Sequence, residues 1–73
     1  MTEPKNKIRF AETLRYLREQ SGLSQAKLAR MLHVTNAVIY QYENGKAEPS
    51  FSMLQAIADL WGIHPGDLLD GVR

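Results

Sequence analysis

Two short amphipathic segments joined by a tight turn, between Ser24 and Gly45, constrain the fold of this chain most strongly. The first segment follows Ser24, a favourable N-cap, and its apolar residues recur at the three- and four-residue spacing of a helix. They are Ala26, Leu28, Ala29 and Leu32. His33 and Val34 interrupt this pattern, and Thr35 offers a second N-cap before another helical stripe. That stripe is Val38, Ile39 and Tyr42. The sequence therefore predicts two helices that pack across a turn.

Small side chains in both segments predict how closely the two helices approach. Ala26, Ala29 and Ala37 are expected where helices crossing at a steep angle meet, so that the backbones can come close. A short turn of this kind leaves one side of the second helix without a neighbour from the same chain. We therefore expect that side to be free for a ligand.

Three further helices are predicted around these two. One covers residues 8–21 and ends at Gly22, which can adopt the left-handed conformation that closes a helix. Another follows the N-cap Ser50 and ends at Gly62, and a short last helix begins at Pro65. The apolar residues predicted to face the core are Phe10, Leu14, Leu17, Phe51, Leu54, Ile57, Ala58 and Trp61.

A chain of 73 residues has room for one domain, and an apolar content of 44% suits a helical core. We expect a single all-α domain over residues 8–73 after a flexible tail over residues 1–7, because the tail is polar and aperiodic. A core of this size is marginal, so association of two copies is a natural source of stability. The absence of cysteine excludes disulfides and thiolate metal sites. Without a long apolar run or a signal peptide, a cytoplasmic location is expected.

Charged residues are unevenly distributed along the chain. Residues 1–46 contain eight basic and four acidic side chains, whereas residues 47–73 contain one basic and four acidic side chains. The basic part includes the two-helix motif, and a positive surface favours a polyanionic partner. Ordinary scatter in a small protein produces the same distribution, so charge alone leaves the partner open.

Arg18 and Glu43 are predicted to form an ion pair between the first and third helices. Arg18 neighbours the buried stripe of the first helix, and Glu43 lies on the last turn of the third helix, on the side that faces the first. The helix dipole disfavours a carboxylate at this end, so a bidentate partner explains why one is tolerated.

Motifs spread from Phe10 to Leu69 form a set whose order and spacing are specific. They are Leu14-Arg15-Tyr16-Leu17-Arg18, Gly22-Leu23-Ser24-Gln25 with Leu28-Ala29, Ile39 with Tyr42-Glu43-Asn44-Gly45-Lys46, Pro49-Ser50, Leu54 with Ile57-Ala58, and Gly62-Ile63 with Leu68-Leu69. The set resembles the Cro- and phage-repressor-like helix-turn-helix proteins of bacteria and phages. This resemblance implies a compact, five-helix, lambda-repressor-like bundle that binds DNA.

The resemblance also implies which side chains contact DNA. In this family the second helix of the motif lies in the major groove and its outward side chains meet base edges. The implied base contacts are Thr35, Asn36, Ala37, Tyr40 and Gln41. The amides of Asn36 and Gln41 suit adenine, and Ala37 suits a thymine methyl group. The implied phosphate contacts, which position the protein without reading sequence, are Ser24, Gln25, Asn44, Lys46 and Arg15.

Two residues depart from the family pattern. His33 stands in the turn where the family usually has glycine, so we expect a strained positive φ that costs on the order of 1 kcal/mol. Glu48 stands in a loop where some relatives have a basic phosphate contact, and it should weaken binding slightly. Without the resemblance, Asn36 and Gln41 are equally well interpreted as ordinary surface polar residues.

The implied function is that of a transcriptional regulator, a small dimeric repressor or autoregulator that binds a palindromic operator. The candidate dimer contacts are Phe51, Trp61, Leu68, Leu69 and Val72. A phage or mobile-element regulator, a restriction-modification controller and an antitoxin share this pattern. Polymerase and a toxin are therefore both candidate protein partners.

The alternative for the same fold is a protein-interaction module, such as an antitoxin or an adaptor. The basic part of the chain and the amides on the third helix argue against it. An enzyme is not expected, because His33 and His64 are the only histidines and no nucleophile, metal-ligand or phosphate-loop motif occurs. No cofactor is expected.

Overall fold

The computed structural model describes the backbone of residues 5–70 and the side chains of residues 9–70. Five α-helices follow one another along this part of the chain. They are α1 (Lys5–Gln20), α2 (Gln25–Leu32), α3 (Asn36–Glu43), α4 (Phe51–Trp61) and α5 (Pro65–Asp70). Residues 5–70 contain no strand, which confirms the predicted all-α, five-helix class. No helix within this range has the length and apolar character needed to cross a membrane.

Local hydrogen bonds define most of the helix ends. Ser24, Thr35 and Ser50 are N-caps, and each hydroxyl accepts from the backbone N–H three residues later, at 3.0, 3.4 and 3.1 Å. Gly22 and Gly62 follow the ends of α1 and α4 with φ of 71° and 64°. These are the capping residues predicted from the sequence.

The first and last helices differ slightly from the prediction. Helix α1 begins at Lys5, so the last three residues of the predicted tail are helical, and residues 1–4 lie outside the described part. Lysine favours helix without any apolar stripe, which is why the aperiodic sequence did not reveal this turn. Helix α5 begins after His64, which is a poor N-cap. Asp67 stabilises this helix start, because its Oδ2 accepts from the His64 backbone N–H at 3.3 Å.

Every helix contributes to one hydrophobic core. Its buried members are Phe10, Leu14, Leu28, Ala29, Leu32, Ile39, Tyr42, Ile57, Ala58 and Leu68. Helix α1 packs against α3 and α5, while α2 packs against α3 and α4 against α5. The rings of Phe10 and Tyr42 meet edge to face, with centroids 5.5 Å apart and planes at 77°. Each fully buried large side chain stabilises the fold by about 1.5–3 kcal/mol through removal from water.

Three sequence predictions about packing are wrong. Phe51 is not in the core, because it begins α4 at the edge of its apolar face and is 73% exposed. Ala26 and Ala37 are exposed, so only Ala29 of the three alanines is buried in the core beside α3. Leu68 is not available as a dimer contact, because it is fully buried in the core as the residue that anchors the short helix α5.

Candidate nucleic-acid interface

The turn between α2 and α3 depends on a left-handed residue. His33 has φ 61° and ψ 40°, which confirms the predicted positive φ. The turn is closed by two backbone hydrogen bonds, from His33 N–H to Arg30 O at 3.2 Å and from Val34 N–H to Ala29 O at 2.9 Å. Val34 packs against the core beyond the turn. This local geometry places the N-terminus of α3 beside the end of α2.

Helix α3 has one buried side and one exposed side. Ile39, Tyr42 and Glu43 are buried, whereas the residues on the opposite side are exposed. We call the exposed residues the outer face of α3: Thr35, Asn36, Ala37, Tyr40 and Gln41. All five residues predicted to contact bases thus lie on one solvent-facing surface, and Tyr40 is half exposed.

The carboxylate of Glu43 is fully buried and is paired with Arg18. Arg18 Nε donates to Glu43 Oε2 at 2.6 Å and Arg18 Nη2 donates to Oε1 at 2.9 Å. The Glu43 side chain is 0% exposed and that of Arg18 is 13% exposed. The hydrogen bond to Glu43 raises the pKa of Arg18 above its ordinary value, so the guanidinium is firmly charged. The structure therefore contains the bidentate pair expected from the sequence.

Two more side chains converge on Glu43, and the sequence did not reveal them. Gln25 Nε2 donates to Glu43 Oε1 at 3.1 Å, and Arg15 Nη2 donates to the Glu43 backbone carbonyl at 3.3 Å. Arg18 Nη1 also donates to Leu23 O at 2.9 Å. The network ties α1, α2 and α3 together and satisfies a carboxylate that has left water. The family resemblance implies that Gln25 and Arg15 contact phosphate, and nothing in the sequence pattern signals their contacts with Glu43.

The predicted phosphate contacts lie at several places around α3. Ser24 is occupied as an N-cap, and Asn44 Nδ2 donates to Tyr40 O at 2.8 Å at the end of α3. The Lys46 side chain is exposed. Arg15 and Asn44 border one open depression of about 300 Å³ between α1 and the end of α3. Its lining residues are Ala11, Glu12, Arg15, Glu43, Asn44 and Gly45.

The remaining candidate dimer contacts differ in exposure. Phe51 projects into solvent, while Trp61 and Leu69 are half-buried and pack against the core. Trp61 Nε1 donates to Ser21 Oγ at 2.8 Å, which joins the ends of α4 and α1. Val72 lies outside the described residues. Leu60, which is not among the predicted dimer contacts, is also exposed.

Comparison with known proteins identifies a family and a curated relative that resemble this chain. The chain matches the profile of the helix-turn-helix family over residues 14–68. It is 34% identical over 66 residues to the HTH-type transcriptional regulator DdrOP3 of Deinococcus deserti, covering 90% of this chain and 51% of that protein. The chain thus spans about half the length of this curated relative.

Two solved structures share the fold. The restriction-modification controller protein C.AhdI from Aeromonas hydrophila aligns with a TM-score of 0.80 and 26% identity, over 93% of this chain and 99% of the controller. Hydroxypropylphosphonic acid epoxidase from S. wedmorenis aligns with a TM-score of 0.78 and 33% identity, over 92% of this chain but only 40% of the epoxidase. The likeness to the epoxidase therefore concerns one part of that enzyme.

Proposed function

This chain belongs to the helix-turn-helix family, as its sequence predicts, and from this membership we propose that it is a sequence-specific DNA-binding transcriptional regulator. In this proposal α3 lies in the major groove of duplex DNA and its outer face meets base edges. DdrOP3 is a transcriptional regulator and C.AhdI is a restriction-modification controller protein, and similarity to both favours this role over the protein-interaction alternative and over an enzyme.

The observation that carries the proposal is that the outer face of α3 has no exposed carboxylate. Glu43 has the only carboxylate on this helix, and that carboxylate is buried and bonded to Arg18. An exposed carboxylate beside DNA would be repelled by the phosphates. Because the Glu43 charge is buried, the surface that α3 presents to DNA in this proposal consists of amides, a hydroxyl, a phenol and a methyl group.

Phosphate contacts in this proposal flank the outer face of α3. Lys46 follows the helix and is exposed, while Arg15 is 48% exposed and uses one of its five N–H donors on the Glu43 carbonyl. Arg15 and Asn44 border the same depression, and we propose that a phosphate lies there. Ser24 and Gln25 at the start of α2 complete the set, beside the free amides of that helix.

The regulator acts, in our proposal, as a homodimer on a palindromic operator with half-sites about one helical turn apart. Exposed Phe51 marks the surface for the second copy, together with Leu60, Trp61 and Leu69. It represses by occupying its operator in the cytoplasm, at the nucleoid. Polymerase or a toxin is the proposed kind of protein partner.

Binding to a pool of random-sequence 25-base-pair duplexes at several salt concentrations tests the proposal. We expect binding that weakens steeply with salt, by about 0.9 in log–log slope for each neutralised phosphate. Lys46→Ala should weaken binding to all sequences and reduce this slope by about 1, whereas Gln41→Ala should weaken selected sequences most. Gln55→Ala, an exposed glutamine on α4, is the matched control. Absence of salt-dependent duplex binding would overturn the proposed function.

A further inference from the structure

We propose that the outer face of α3 selects A·T base pairs, by hydrogen bonds from Asn36 and Gln41 to adenine and by contact of Ala37 with the thymine methyl group. This inference rests on the proposed function and adds to it the class of base pair that the protein reads. Two observations support it. The outer face of α3 has no charged side chain, and the groups exposed there include two amides and a methyl group.

The outer face of α3 lacks the side chains that read guanine. The commonest guanine contact is a bidentate arginine or lysine on O6 and N7, and α3 contains neither residue type. On the neighbouring helix α1, Arg18 is directed to the Glu43 carboxylate, and Arg15 donates to the Glu43 backbone carbonyl beside the proposed phosphate contact. Arg18 is 13% exposed, with three nitrogens engaged, so it is withdrawn from any groove.

The acceptor that reads cytosine is withdrawn as well. A carboxylate that accepts from cytosine N4 must project into the groove, and the only carboxylate on α3 belongs to Glu43. It is fully buried and accepts from Arg18 and Gln25. The charged side chains that distinguish a G·C pair are thus both absent from the outer face of α3.

The uncharged groups that remain match A·T. Within residues 9–70, Asn36 and Gln41 make no side-chain hydrogen bond, so each amide is free to donate and accept. A side-chain amide pairs with adenine by accepting from N6 and donating to N7. Each such pair discriminates against the wrong base by about 5- to 150-fold in affinity.

The position of Ala37 adds the thymine contact. At about 100° per residue, Ala37 and Tyr40 occupy the middle of the exposed arc, with Asn36 and Gln41 at its two edges. The exposed methyl group of Ala37 lies beside Tyr40, on the part of the helix that faces the groove in this proposal. The C5 methyl group of thymine projects from the floor of the groove and is met by small apolar side chains.

Selection from the random duplex pool, followed by base analogues in the selected duplex, tests the proposal. We expect A·T at the positions that α3 protects. Replacing those pairs by inosine·cytosine, which resembles G·C in the major groove and A·T in the minor groove, should weaken binding by about fivefold or more per pair read. Retained affinity for inosine·cytosine would overturn the proposal, because the preference would then come from the minor groove or from DNA shape.

Two finer replacements assign the contacts to residues. 7-Deazaadenine removes the N7 acceptor, so it should weaken binding of the wild-type chain and of the Gln55→Ala control, but not of Gln41→Ala at the pair that Gln41 reads. Uracil in place of thymine should weaken binding at the pair beneath Ala37. An equal loss in Gln41→Ala and wild type at every adenine would overturn the assignment to Gln41. Circular dichroism establishes that each variant is folded.

The proposed function and the A·T preference are refuted by different results. If the pool shows no salt-dependent binding, both the proposed function and this inference are wrong. If the chain selects a sequence but the positions protected by α3 are G·C, the proposed function stands and only the A·T inference is refuted.

Discussion

Replacing Arg18 by alanine should destabilise the fold far more than replacing Arg15, although both arginines contact Glu43. Arg18 donates two hydrogen bonds, at 2.6 and 2.9 Å, to a fully buried carboxylate. Arg15 is 48% exposed and its Nε lies 3.7 Å from that carboxylate. Loss of Arg18 leaves a buried charge with weaker partners, whereas loss of Arg15 leaves the bidentate pair intact.

The expected magnitudes separate the two variants clearly. Removing one partner of a buried ion pair costs about 3–5 kcal/mol, whereas a partly exposed pair contributes about 0–1 kcal/mol. Native domains are stable by roughly 0.05–0.15 kcal/mol per residue, which is about 4–11 kcal/mol for a chain of this length. Arg18→Ala should therefore remove about a quarter or more of the unfolding free energy.

Urea unfolding followed by the helical circular dichroism signal measures this difference. Arg30→Ala, at an exposed position on α2, controls for the loss of an arginine. The double variant Arg18→Met with Glu43→Leu replaces both charges by apolar side chains of similar size. It should recover most of the stability lost in Arg18→Ala, because no buried charge remains unpaired.

Two results would refute this reasoning. Equal urea midpoints for Arg18→Ala and Arg15→Ala would show that the bidentate pair contributes no more than the exposed contact. A double variant as unstable as Arg18→Ala would show that the unpaired carboxylate is not the cause of the destabilisation.

Three further predictions concern the turn, a buried phenol and self-association. His33→Gly should raise the unfolding free energy by up to about 1 kcal/mol, because φ is 61° at this position. Gly22→Ala should lower the unfolding free energy, because φ is 71° there. Thermal melts of the two variants with equal midpoints would contradict this. Burial raises the pKa of Tyr42 above 10.0, so the unfolded chain ionises first and stability should fall as pH rises above about 10. Tyr42→Phe should remove this alkaline fall in urea titrations, and exposed Tyr16→Phe should leave it. Phe51→Ser should weaken self-association in sedimentation without lowering the melting temperature, because the ring is 73% exposed, and unchanged association would exclude it from the dimer contact.

Local chemistry accounts for what could be read from the sequence. Each N-cap hydroxyl bonds to an amide three residues away, so Ser24, Thr35 and Ser50 mark helix starts without help from the rest of the fold. The left-handed residue at His33 and the helical spacing of Ile39 and Tyr42 are equally local. The division of α3 into a buried and an exposed side follows from this spacing.

Contacts between helices account for what the sequence left undecided. Periodicity shows that a residue faces a neighbour but not which neighbour covers it, so Leu68 was placed on the surface although α1 packs over its helix. Gln25 and Arg15 meet Glu43 only because three helices converge there. That convergence buries the one carboxylate of α3, so the face proposed to contact DNA has no negative charge. The sequence could not show this, because Glu43 meets its partners only when the helices have packed.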